Sequence, residues 1–149
     1  MSILMQIEGR AILLPRLMKT YNSNQLTPVL RANGLLPNDG PYILEIGESG
    51  GISLKTLAER ISIDRGMTTR TIGRLIDRGM IENRSTDGRV YSVWLTPAGE
   101  NVRQQIIAEL EKAMEELLTD FTPEERKQLQ ALMQKLTLNV LKASNEADL

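Results

Sequence analysis

SLKTLAERISIDRGMTTRTIGRLIDRGM, residues 53–80, is the stretch whose reading decides the fold. Ser53 has the side chain of an N-cap, and Leu54, Leu57, Ala58 and Ile61 recur at the intervals of one helical face. This spacing predicts a short helix from Leu54 to Ile61. Ser62, Ile63 and Asp64 then form a three-residue turn, and the Asp64 carboxylate is placed to cap a second helix and to favour its dipole. In that helix Thr68, Ile72, Leu75 and Ile76 fall on one side, while Met67, Arg70, Thr71, Arg74 and Arg78 fall mostly on the other. Gly79 follows where a left-handed residue ends a helix.

Downstream, Ile81 to Arg84 reads as a strand, Ser85 to Gly88 as a turn, and Arg89 to Leu95 as the returning strand. Tyr91, Val93 and Leu95 share one face of it. Trp94 falls on the other, where packing against an arginine stem is expected. Two short helices joined by a tight turn and followed by a hairpin are the element order of a winged helix-turn-helix. A duplex major groove admits one α-helix, so the first helix braces the second, and the second reads base edges. Further on, Thr96-Pro97 opens a helix predicted to run to about Asp120, with Val102, Ile106, Leu110, Met114, Leu117 and Phe121 in steps of three and four. Thr122-Pro123-Glu124-Glu125 is a capping box for a last helix striped by Leu129, Leu132, Met133, Leu136 and Val140, with fraying expected from Asn145.

Upstream, Ile3 to Tyr21 carries an apolar stripe with Pro15 inside it, which predicts a kink or a late start. Asn22-Ser23-Asn24 reads as a turn, and Thr27-Pro28 as cap and first position of a separate short helix ending near Asn33-Gly34. Pro37 to Pro41 reads as a loop or helix start. Tyr42, Ile43, Leu44 and Ile46 follow as a short apolar helix, broken by Glu48-Ser49-Gly50-Gly51.

The 149 residues include neither cysteine nor histidine. Disulfides, thiolate metal sites and the commonest general base are therefore excluded, and no metal or cofactor is expected. With no glycine-rich phosphate loop and no defensible carboxylate pair, an enzyme is not expected either. No apolar run is long enough for a membrane span, and the expectation is a cytoplasmic protein. The net charge of −1 hides an asymmetry. Residues 52–96 carry eight basic side chains against five acidic ones, a net +3, whereas residues from Pro97 onward carry six against ten, a net −4. After Lys55 every cation of the middle segment is arginine, the residue suited to bidentate recognition of phosphate or guanine. A basic middle and an acidic C-terminal part suggest one nucleic-acid face and one face with another task.

Two runs carry a family resemblance. TRTIGRLIDRGMI, residues 69–81, resembles the recognition helix and exit of the MarR family; DGRVYSVWLTPAG, residues 87–99, resembles that family's wing. The helices before and after match in number and length. The sequence departs from the family pattern at Asn83, where arginine is frequent, and in a short span from Gly79 to Asp87. The resemblance implies one mainly α domain over residues 1–149 with a small β-hairpin wing. Residues 35–96 would be the DNA-binding lobe, and 1–34 and 97–149 dimerisation helices. It further implies an obligate homodimer on a pseudo-palindromic double-stranded DNA operator, often as a repressor, and control by small anionic or phenolic effectors.

The expected DNA-contacting set follows. Ser53 and Lys55 open the bracing helix, where backbone N–H groups favour a phosphate. Arg65, Met67, Thr69, Arg70, Thr71 and Arg74 lie on the reading helix, with Asp77 as an alternative partner for Arg74. Arg84, Asp87 and Arg89 belong to the wing, where Asp87 would orient an arginine and Arg89 would enter the minor groove. Arg16, Tyr21 and Tyr42 are candidates for an aromatic carboxylate, by position alone. The competing reading is a winged helix used for protein contact without an operator. A basic, arginine-only helix face argues against it.

Overall fold

The computed structural model describes residues 10–61, 64–88 and 91–147. The chain divides into two compact units, Met1–Ala113 and Met114–Leu149. In the first unit, helix α1 is described over Arg10–Ala32; a 3-10 turn, Pro37–Asp39, leads into α2, Gly40–Ser49. The bracing helix α3 is Leu54–Ile61 and the reading helix α4 is Arg65–Asp77. Strands β1, Ile81–Asn83, and β2, Val93–Leu95, form the hairpin, and α5, Pro97–Leu117, follows.

Local signals set most of these boundaries. Ser53 Oγ accepts the Thr56 N–H at 3.1 Å, and Asp64 Oδ1 accepts the Met67 N–H at 2.9 Å, so both helices of the motif are capped as expected. Gly79 ends α4 at φ +70°, with its N–H on Ile76 O and the Met80 N–H on Leu75 O. Thr96 closes the lobe: its N–H bonds Met80 O at 3.0 Å, its hydroxyl donates to Gly79 O, and its Oγ1 accepts the Gly99 N–H. The hairpin pairs Ile81 with Leu95 and Asn83 with Val93, antiparallel. Val93 also bridges Ile52 ahead of α3, so the root of the wing is tied to the bracing helix.

The core of this unit draws Ile43 and Ile46 from α2, Leu57 from α3, Ile72 and Leu75 from α4, and Ile81 and Val93 from the hairpin. It also takes Leu26 and Leu30 from α1 and Val102 and Ile106 from α5. The inner parts of both flanking helices therefore complete the lobe, beyond residues 35–96.

Four expectations fail here. Asn22 to Asn24 make no turn, and Thr27-Pro28 starts no new helix, because α1 runs unbroken through Pro15 and Pro28. Asn24 and Pro28 are both exposed, so the carbonyl that Pro28 deprives of a donor stands on the wet side, while Leu26 and Leu30 bury on the other. The strands are shorter than expected, with Arg84 outside β1 though its N–H still bonds Ser92 O at 2.9 Å. Tyr91 is exposed rather than inward with Val93.

In the second unit, α5 ends at Leu117 rather than near Asp120, and α6 spans Pro123–Ala147, past the fraying expected from Asn145. The capping box forms: Thr122 N–H donates to Glu125 Oε2 at 2.9 Å, and Glu125 N–H donates to Thr122 Oγ1 at 3.2 Å. Arg126 closes the corner between the two helices, on Glu115 at 2.7 Å and on Leu118 O at 2.8 Å.

Candidate nucleic-acid interface

The N-termini of α3 and α4 open on a common cleft of about 490 Å3, lined by Ser53, Leu54, Lys55, Arg65, Gly66, Thr69 and Tyr91. Each helix start contributes backbone N–H groups with partial positive charge. Lys55 and Arg65 add full charges and stand exposed. Arg70, one turn further along α4, is exposed too, and Met67 beside it is 42% exposed. Lys55, Arg65 and Arg70 make no ion pair among the described residues. Thr69 is exposed, with its hydroxyl donating to Arg65 O at 2.9 Å, which leaves its oxygen able to accept. Unneutralised cations around two helix starts suit a polyanion backbone, and Arg70 on the outer side of α4 suits a base edge.

Other expected residues are occupied elsewhere. Thr71 is buried, 3% exposed, and does not face outward. Thr68, Thr71, Ile72 and Leu75 form the i, i+3, i+4, i+7 stripe, so Thr71 belongs to the inner face by geometry, despite its hydroxyl. Arg74 is turned inward as well. Its Nη2 bonds Asp39 Oδ1 rather than Asp77, and its Nε is buried without a partner. Arg84 lies 4.6 Å from the Trp94 ring centroid and 2.7 Å from Glu82, so it is held within the wing root, as the packing expected of Trp94 required. The same tryptophan covers Gly50 and Gly51, whose positive φ values and close approach to the ring leave no room for a side chain. Asp87 sits exposed in the wing loop, where its N–H donates to Ser85 Oγ at 3.2 Å. Arg89 lies outside the described residues.

The proposed effector trio is not one site. Tyr42 is 1% exposed, with its hydroxyl 3.2 Å from Thr68 Oγ1, so it is a core residue and presents no face to a ligand. Arg16 is exposed on α1, and the Tyr21 hydroxyl donates to Ala113 O at 3.5 Å. Sequence reading missed Asp39, which is fully buried and accepts from both Leu36 N–H and Arg74. A lone aspartate in a Pro-Asn-Asp-Gly-Pro run reads only as a turn residue, and its partner lies 35 positions away.

A braced helix with free cations at its start, backed by a core and followed by a hairpin, defines a winged helix-turn-helix DNA-binding protein. The family model described as MarR family matches residues 42–90. The HTH-type transcriptional regulator BilQ of Clostridium symbiosum (strain WAL-14163) is 31% identical over 97 residues, which is 64% of this chain and 67% of that protein. The crystal structure of MarR superposes with a TM-score of 0.78 at 25% identity, covering 98% of each chain. A putative MarR-family regulator from Listeria monocytogenes, solved in complex with a 26mer DNA, gives a TM-score of 0.69 at 23% identity, over 96% of this chain and 91% of that one. The chain belongs to the MarR family of transcriptional regulators. No helix among the described residues is long and apolar enough to cross a membrane.

Proposed function

We propose that this protein is a homodimeric repressor that binds a pseudo-palindromic operator, with α4 of each subunit in the major groove. The carrying observation is the set of exposed cations Lys55, Arg65 and Arg70, with no ion pair among the described residues, around the converging starts of α3 and α4. Ser53, Thr69 and Met67 share that surface. Lys55 and Arg65 serve phosphates, and Arg70 serves a base edge. Dimerisation is supported by the apolar side chains left uncovered on α1 (Leu14, Leu17) and on α6 (Leu132, Leu136, Leu141). A dimer places two reading helices about one turn of duplex apart, roughly 10 base pairs. Asp87 and Arg89 complete the interface from the wing. Release by a small anionic or phenolic ligand is the control that the family resemblance implies; Arg16 and Tyr21 remain candidates for it, and Tyr42 does not.

Fluorescence anisotropy tests this reading. A labelled duplex from upstream of the protein's own gene is titrated against its scrambled counterpart across a salt series. Tight, salt-steep binding with a large preference for the native duplex is expected. Absence of binding to either duplex at low salt would replace the operator reading with that of a protein-contact module.

A further inference from the structure

We propose that Asp39, in the turn before α2, is a positioning residue for operator discrimination. By holding the Arg74 guanidinium from behind, it fixes the rotation of α4 about its own axis, and hence which outer side chains meet the bases. The inference rests on the reading of α4 as the groove-entering helix.

Both carboxylate oxygens of Asp39 are committed. Oδ2 accepts the Leu36 N–H at 2.8 Å and so shapes the turn; Oδ1 takes Arg74 Nη2. Asp39 is fully buried, and the Arg74 side chain is about one-third exposed, with a buried, unpartnered Nε. A guanidinium whose Nε is out of water is held there by the carboxylate opposite it. One turn on, Arg78 Nη1 stands 2.8 Å from the position a Cβ on Gly34 would take, so a second guanidinium rests against the same 34–39 segment. At the other end of the inner face, Thr68 meets the Tyr42 hydroxyl.

Of the remaining inner residues, Ile72 and Leu75 are apolar, and Thr71 is buried beside them. Apolar burial is non-directional and changes little when a helix turns slightly, whereas a buried hydrogen-bonded ion pair has one geometry. At a helix radius of 5–6 Å including side chains, a rotation of about 10° moves an outer side chain by about 1 Å. That is enough to spoil a bidentate bond to a base edge, yet phosphate contacts from flexible cations survive it. Asp39 therefore acts on discrimination more than on total affinity.

The test uses the full-length protein and a duplex enriched by the wild type from a random-sequence pool, with a scrambled version as the control probe. Asp39→Asn keeps an acceptor for Leu36 and removes the charge. The ratio of affinities for enriched and scrambled duplex is expected to fall about tenfold. Affinity for the scrambled duplex and its salt slope should stay at wild-type values. Arg74→Met should lower the ratio by the same factor, and the double variant by no more than either alone. A folded Asp39→Asn with unchanged discrimination would overturn the proposal. So would equal losses on both duplexes, or a loss confined to Arg74→Met, which would make Arg74 a DNA contact in its own right. If Asp39→Asn does not fold, Asp39→Ala/Arg74→Met, with both charges removed, is judged by the same ratio. If the wild type enriches no sequence, the operator reading itself falls before any variant is compared.

Discussion

The lobe and helix α6 are built from the same kinds of residue at the same helical spacing, and they end in opposite environments. In the lobe, Leu57, Leu75 and Ile106 are fully buried. On α6, Leu132 is 64% exposed, and Leu136 and Leu141 are 55% exposed. The difference does not lie in the pattern, since both are amphipathic stripes. It lies in supply: the lobe receives apolar side chains from α1, α2, α3, α4, the hairpin and α5 and closes on itself, while the stripe of α6 stays exposed among the described residues. A stripe of this size is the support for the proposed dimer interface.

The largest effect should come from breaking that contrast at α6. Leu132→Glu together with Leu136→Glu puts charges on the uncovered stripe and leaves the lobe untouched. Sedimentation is expected to show a monomer in place of a dimer. Operator affinity should fall by about a hundredfold or more, because the two half-sites no longer act together. An unchanged mass would show that the uncovered stripe is not the interface. The lobe side of the comparison is probed by Ile72→Ala, which removes a buried side chain from the inner face of α4 and should cost about 2–5 kcal/mol of stability in denaturant unfolding. Leu138→Ala, at a position 58% exposed in the chain, sharpens the contrast. It should change stability by the same order only under concentrations where the dimer forms.

The two faces of α4 repeat the comparison on a smaller scale. Arg70 and Arg74 are one turn apart and chemically identical, yet one is exposed, with no ion pair among the described residues, and the other is bound to Asp39. Arg70→Ala should weaken binding to the preferred duplex by about 1–3 kcal/mol with no change in melting temperature. An unaltered affinity would remove Arg70 from the reading set.

How much of this was legible depends on the range of the interaction. The caps at Ser53, Asp64, Thr96 and Thr122 and the left-handed Gly79 could be read because each joins a side chain to backbone within a few residues. Thr71 reads as an outer residue by its polarity, yet its position puts it in the buried stripe. The Arg74–Asp39 pair is not legible because the partner is distant in sequence and is itself a residue type seldom buried. Asn22–Asn24 and Thr27-Pro28 read as a break within α1. The burial of Leu26 and Leu30 against the rest of the lobe outweighs those local preferences, as packing commonly does. The wing contact between Arg84 and Trp94 was anticipated in kind, since a lone exposed tryptophan on a strand has few other partners, but not which arginine would supply it.

The smallest effect belongs to the cap that begins α4. Asp64 is exposed, and its Oδ1 accepts the Met67 N–H at 2.9 Å. It contributes to the helix in two ways: as an acceptor for an otherwise unpartnered donor, and as a negative charge at the positive end of the dipole. Asp64→Ala removes both and should cost about 1 kcal/mol in denaturant unfolding. Asp64→Asn keeps the acceptor and removes the charge, and should cost only a few tenths of that at ordinary ionic strength. The two variants diverge in DNA binding. Asp64 directly precedes Arg65, which lines the cleft and is proposed to meet a phosphate, so removing its charge also removes a repulsion. Asp64→Asn should therefore bind duplex DNA somewhat more tightly than wild type, whatever the sequence, with the gain shrinking as salt rises. A loss of affinity in Asp64→Asn, with stability retained, would mean that the carboxylate orients a cation of the interface instead of opposing the phosphate.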